Sequence, residues 1–307
     1  MDTLKLVVLV PVVAGSVCCA ALRAQDRYPV RRLTSHPAQE GFPSWSPDGR
    51  TLVYSFGMRN DSARMTGLWK VPSDGGEGRQ FTHFIGEHPD WSPDGHYIVF
   101  DADEGNAVRL VAATGGQPVR IVPASIRILG GGLPSWSPDG GRIAFKEASN
   151  LRVLDVRTGE SRVVLSAPDS MLVLPGCWSR DGSEIYVTVR HRVTYLGAIW
   201  RVPAEGGEPR RLTPEPDRAY RYMDLAPDGS LLAFVACEGR NCDLFVMPAA
   251  GGGAVQLTRD PAYNDTPRWS PDGTRIAFTS TRTGGFDVWV MDVDVEDLRA
   301  AVAAANR

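Results

Sequence analysis

Trp45-Ser-Pro-Asp-Gly49 is the stretch that decides the fold, because the chain repeats it. It returns at Trp91 to Gly95, at Trp136 to Gly140 and at Trp269 to Gly273. It also returns in altered form as Trp178-Ser-Arg-Asp-Gly182 and Leu225-Ala-Pro-Asp-Gly229. Successive copies start 46, 45, 42, 47 and 44 residues apart. Ser-Pro-Asp-Gly suits a type I turn: Pro presets φ at the second position, and Asp bonds its own backbone. A β-rich run follows each turn, such as Thr51-Leu-Val-Tyr54, Tyr97-Ile-Val-Phe100 or Arg275-Ile-Ala-Phe278. A period in the forties built from short strands predicts an all-β, six-bladed propeller, with one four-stranded antiparallel blade per repeat. The turn residues Asp48, Asp94, Asp139, Asp181, Asp228 and Asp272 are read as structural, not catalytic.

Third strands are equally regular, for example Leu68-Trp-Lys-Val71 and Asp287-Val-Trp-Val-Met291. Most lead through a Gly-containing turn into a fourth strand of the type Arg211-Leu-Thr213. One such segment, Tyr28 to Thr34, precedes the first turn motif, and none follows the last repeat. The N-terminal strand is therefore expected to complete the last blade and close the ring.

The 307-residue chain is 43% hydrophobic and 22% charged, the composition of an ordinary globular protein. Its formal charge of −3 gives no footprint for nucleic acid. Residues 1–24 read as a secretory signal: Lys5, an apolar run from Leu6 to Leu22, and Ala24 as the last residue before cleavage. Pro11 and Gly15 interrupt that run, which is short for a membrane span, so the mature chain is expected to have none. Cys18 and Cys19 suggest a lipid anchor, but the residues before them fit a lipobox poorly. Residues 25–294 form the propeller. Residues 295–307 are an Ala-rich tail, expected to be a helix from near Asp294 that either covers a blade edge or meets a partner.

Together these repeats resemble the propeller of the TolB family of the periplasmic Tol–Pal system. The segment Pro267-Arg-Trp-Ser-Pro-Asp-Gly-Thr-Arg-Ile-Ala-Phe278 carries the likeness most fully. The resemblance covers about residues 28–294 and implies a fold more than a function. It implies a periplasmic or otherwise exported scaffold. TolB also has an α/β domain before its propeller, and only about 20 residues separate the signal from the first turn motif here.

No Gly-x-Ser-x-Gly elbow, phosphate loop or zinc-spaced Cys/His cluster is present. Polar residues do gather where fourth strands lead into the next first strand, at one mouth of the central channel. They are His36, Glu40, His83, Glu87, His88, Asp217, Arg218, Tyr220, Arg221, Asn264 and Asp265. Such a ring could hold a metal or do acid–base chemistry, or be polar only because water fills the mouth. The longer loops Gly57 to Gly67 and Arg190 to Leu196 lie on the same face, where binding usually resides. Cys237 and Cys242 flank a hairpin and are placed for a disulfide in an exported protein. Cys177 reads as a buried apolar residue.

The expectation is a monomeric, non-enzymatic scaffold without cofactor or metal. It would bind a protein or peptide of the cell envelope through Glu40, Glu87, His88, Arg221, Asn264 and Asp265. Two alternatives stand beside it. One is a metal-dependent envelope enzyme acting on carbohydrate or a lactone. The other is a ligand sensor that works with a separate output protein.

Overall fold

The structure is a computed structural model, and it describes residues 26–57, 67–102, 105–128, 130–213 and 218–307. The signal at 1–24, most of the loop after Gly57, and Asp217 lie outside the described residues.

Six four-stranded antiparallel sheets form the ring. The innermost strands are Glu40–Trp45, Gly86–Trp91, Ser135–Trp136, Met171–Trp178, Ala219–Leu225 and Asn264–Trp269. Each is followed outward by a second strand starting just after the turn motif, then by a third and a fourth. The N-terminal strand Val30–Arg32 pairs with the third strand of blade 6, Val30 opposite Met291 and Arg32 opposite Trp289. Two distant chain segments thus share one sheet, as the surplus fourth-strand sequence implied.

The turn motif works as a small bonded unit. Ser46 Oγ donates to Asp48 Oδ1 at 2.6 Å, and Asp48 accepts the Arg50 N–H at 3.1 Å. Ser46 Oγ accepts the Thr51 N–H at 3.0 Å, and Gly49 closes the turn at φ 69°. Blade 5 has Ala226 where Ser stands elsewhere, and Asp228 bonds the Ser230 N–H and hydroxyl instead, at 2.9 and 2.8 Å. These aspartates are occupied by their own turns.

Neighbouring blades are keyed at the residue before the motif Trp. Ser44 accepts the Trp91 N–H, Asp90 accepts that of Trp136 at 2.8 Å, and Asp224 accepts that of Trp269 at 2.7 Å. Apolar faces such as Tyr186, Ile199, Met223, Leu232 and Phe234 fill the space between blades.

Fourth strands are shorter than their sequence pattern, often two paired residues: Arg79–Gln80, Arg210–Arg211 and Val255–Gln256. The Thr that follows explains the early end. Thr82, Thr213 and Thr258 each turn their hydroxyl back to accept a third-strand N–H, from Leu68, Ile199 and Leu244 at 3.0, 3.0 and 2.9 Å. The ladder donor is satisfied while the backbone is already leaving the sheet. Thr34 does the same for Val288 in the closing strand, at 3.0 Å.

The helix α1, Val295–Ala305, is capped by Asp294, whose carboxylate accepts the Glu296 and Asp297 N–H groups. It buries Leu298 and Val302 against blades 5 and 6. Among the described residues no helix is long and apolar enough to cross a membrane.

Candidate functional site at the channel mouth

Inner strands enter at one face, cross the channel, and leave through the turn motif at the other. Midway, most are bulged. There, in four blades, the residue before Pro adopts a left-handed conformation: Phe42, His88, Leu133 and Thr266, with φ between 51° and 53°. That conformation costs an L-residue roughly 1–3 kcal/mol, and a β-branched residue such as Thr266 rarely shows it. It persists because the preceding blade holds it. Thr279 Oγ1 accepts the Phe42 N–H at 3.1 Å, and Asp101 accepts the Gly132 and Leu133 N–H groups at 2.6 and 3.0 Å.

The bulges turn side chains into the channel. The Phe42 and His88 rings lie 4.1 Å apart, and Tyr222 stands 5.9 Å from each. His88 Nδ1 bonds Asp101 Oδ2 at 2.9 Å, and its Nε2 faces the Tyr222 hydroxyl at 3.4 Å. Burial pushes the Tyr222 hydroxyl well up, so it stays protonated. About 20 Å³ of free space remains among these rings, room for little more than one water. The channel is thereby floored. Below the floor a separate funnel of about 330 Å³ opens to the turn face, lined by Asp90, Asp224, Arg180 and Arg268. Arg268 stands 4.0 Å from both carboxylates.

Above the floor, Arg221 donates to the Tyr263 hydroxyl and lies 3.6 Å from Asp265, and Tyr263 donates to Asp265 at 3.0 Å. Glu87 is half-buried and acts electrostatically on Tyr222. Two residues placed at the mouth from sequence do not reach it. Glu40 and Asn264 are 1% and 0% exposed. As first residues of their strands they point between blades, where Glu40 accepts the His36 N–H at 3.2 Å and Asn264 accepts the Ser280 hydroxyl at 2.7 Å. Tyr220 is buried likewise, while His36 and His83 are exposed. Cys237 and Cys242 are directly opposite in their hairpin and joined by a disulfide.

Sequence reasoning missed Phe42, Asp101, Tyr222 and Arg268, and named Arg190 only as the start of a mouth-face loop. A signal existed for some: the pattern x-Pro-x-Trp at Phe42, His88, Leu133 and Thr266 marks each left-handed position of the inner strands.

Burial gives the interior a pH signature. It pushes the Glu40 carboxyl up to about 7, against hydrogen bonds from Thr34, the His36 N–H and Tyr54 that favour the anion. It pushes Asp90 up to about 6, against the charge of Arg268. A raised carboxyl holds its proton more tightly in the folded state. The stability it contributes is fully present below the unfolded value and is lost as pH rises through the folded one. Melting temperature is expected to fall between pH roughly 4.5 and 7, and Glu40→Gln with Asp90→Asn to flatten that slope. A slope unchanged in the double variant would assign it to other groups.

Residues 218–306, which span blades 5 and 6 and the helix, match the family described as PD40, TolB beta propeller domain. Blades 5 and 6 match the TolB propeller family, within a six-bladed ring. The Tol-Pal system protein TolB of Anaeromyxobacter dehalogenans is 36% identical over 127 residues, 38% of this chain and 25% of the relative. The matches to this TolB and to the first curated relative span about a quarter to a third of their length. Among solved structures, a putative TolB from Agrobacterium tumefaciens superposes with a TM-score of 0.62 at 20% identity, covering 86% of this chain and 97% of that one. An oligogalacturonate lyase in complex with manganese superposes with 0.61 at 16% identity, covering 89% and 96%. At such identities the structural likeness shows the fold alone.

Proposed function

We propose that this propeller is an exported, non-enzymatic scaffold of the cell envelope that binds a protein or peptide on its channel-mouth face. Residues 1–24 direct export, residues 25–294 form the single binding domain, and the protein acts as a monomer. The observation that carries this reading is the difference between the two faces. The turn face repeats one self-bonded unit six times. The mouth face is a socket with a floor, and its rim exposes Phe84, Ile85, Val193, Tyr195 and Leu196. Exposed apolar side chains around a polar recess are what a partner covers. The likeness to TolB, named for the Tol–Pal system, points to the envelope.

A metal-dependent enzyme on sugar or lactone is less well supported. Among the described residues no three His, Cys, Asp or Glu side chains converge to hold an ion. The mouth also ends at a floor whose rings leave room for little more than one water. A sensor with a separate output protein would use the same socket and differ only in what it reports to.

Arg221 and Asp265 are held by each other and by Tyr263, so reversing either would disturb folding. Glu87→Lys and Leu196→Glu are better probes. Together they are expected to cut capture of a partner from envelope extract about tenfold, a loss near 1.4 kcal/mol, with little change in melting temperature. Tyr97→Asp on the turn face should leave capture intact. Equal loss from both would sink the assignment of the face.

A further inference from the structure

Arg190 stands in the second strand of blade 4, opposite Leu172 on one side and Gly197 on the other. Alternation along the strand puts its side chain on the face of Tyr186 and Thr188, toward blade 5. It is 9% exposed, yet its Nε and Nη1 donate to nothing. The Thr188 hydroxyl, two residues back on the same face, is also buried without a partner. Buried guanidinium groups are ordinarily paired.

The surroundings do not supply that pairing. The groups acting on Arg190 are Arg221, Tyr222, Tyr195 and Asp265, so its foremost charged neighbour is another cation. Asp265 is already held by Arg221 and Tyr263. Burial first, and the Arg221 charge second, push the Arg190 guanidinium down.

The adjoining loop is shaped around this side chain. The Tyr195 ring lies 5.1 Å from the guanidinium, and its backbone takes φ 61°, a left-handed conformation uncommon for Tyr. His191 fixes that course: its Nδ1 accepts the Val193 and Thr194 N–H groups at 3.3 Å each, and its carbonyl accepts the Tyr195 N–H at 3.0 Å. Gly197 has no room for a Cβ, which would stand 2.5 Å from the Cβ of Arg190. Strain of this kind concentrates at ligand clamps.

We propose that Arg190, with Arg221 beside it and Tyr195 as its cover, is a carboxylate-binding site that takes one acidic group of a peptide seated on the mouth. The proposal rests on the binding-scaffold reading and names the chemistry of the partner. Two guanidinium charges face one carboxylate, Asp265, leaving a single positive charge unmatched. One carboxylate balances it, and a planar guanidinium fork meets a carboxylate bidentately. A phosphate dianion would overshoot the balance.

The test uses the full-length protein and a dye-labelled, end-blocked peptide alternating glutamate and leucine, against its glutamine counterpart. The glutamate peptide is expected to bind at least about tenfold tighter, and Arg190→Met to abolish the preference. Melting temperature in Arg190→Met should hold or rise, because an unpaired buried charge is gone; a merely structural arginine would lower it. Should Arg190→Met fail to fold, Tyr195→Ser in the exposed loop replaces it, and the preference is expected to weaken severalfold. Equal binding of the two peptides, a preference that survives both variants, or displacement of the glutamate peptide by inorganic phosphate more readily than by glutarate would each overturn the site. The scaffold reading fails separately, through capture indifferent to Glu87→Lys and Leu196→Glu.

Discussion

Removing residues 26–35 is expected to abolish the cooperative unfolding transition. The segment contributes more than three paired residues. The Leu33 and Thr34 N–H groups donate to the Val288 carbonyl at 2.8 and 3.2 Å, and the Asp292 N–H donates to that of Pro29 at 3.2 Å. Thr34 Oγ1 accepts the Val288 N–H at 3.0 Å. Charged side chains tie it further: Arg32 to Asp287 at 2.8 Å, Asp26 to Arg282 at 2.5 Å and Arg27 to Asp297 at 2.9 Å. Leu33 is buried with Val288 and Val290, while Tyr28 and Val30 pack near the helix. Each net hydrogen bond contributes about 1 kcal/mol, and an emptied Leu site costs about 2–5 kcal/mol. Their sum reaches the ~5–15 kcal/mol that keeps a domain folded. The third strand of blade 6 would also be left as an open, apolar edge prone to association. Thermal melts of the full and shortened chains decide the matter. An unchanged, cooperative melt in the shortened chain would mean that the ring closes without this strand.

Asp101→Ala is the single substitution expected to cost most, about 3–5 kcal/mol. Asp101 is 2% exposed and serves three donors: the Gly132 and Leu133 N–H groups and the His88 ring. Alanine would leave two buried backbone N–H groups unpaired, each costing about 1–3 kcal/mol. It would also release two left-handed residues, His88 and Leu133, from the contact that holds them. Asp101→Asn keeps the shape and offers one acceptor oxygen, so it should fall between. Urea unfolding of the three proteins gives the comparison. A loss under about 1 kcal/mol in Asp101→Ala would mean that water replaces the carboxylate and that the bulges hold themselves.

The fold was legible in the sequence because its signals are local and repeat. Trp-Ser-Pro-Asp-Gly fixes where each inner strand ends, and the surplus Arg-Leu-Thr segment gives away the closure. The candidate site was legible only in part. His88 and Arg221 were found because they are polar and lie near strand starts. Glu40 and Asn264 were set at the mouth by the same reasoning, which cannot tell a side chain facing the channel from one wedged between blades. That distinction depends on a one-residue shift in direction set by the bulges. Phe42 and Tyr222 carry no charge to single them out in the sequence, yet they form the floor. Arg190 was legible only as the start of a mouth-face loop, since its unpaired state exists only when blades 4 and 5 meet.

Closure through the N-terminal strand has one more consequence. The described start of the chain and the helix at its end touch, Arg27 against Asp297, so a short linker could join them. New ends could then be cut at another exposed turn, such as Asp74-Gly75-Gly76, where a side chain on Gly75 would meet nothing. The two segments that share the seam would then be joined in sequence through the helix, and a different blade would carry the break. Which blade comes first in the gene is then an accident of where the circle was opened, since the blade-to-blade bonds between Ser44 and Trp91, Asp90 and Trp136, or Asp224 and Trp269 do not depend on that origin.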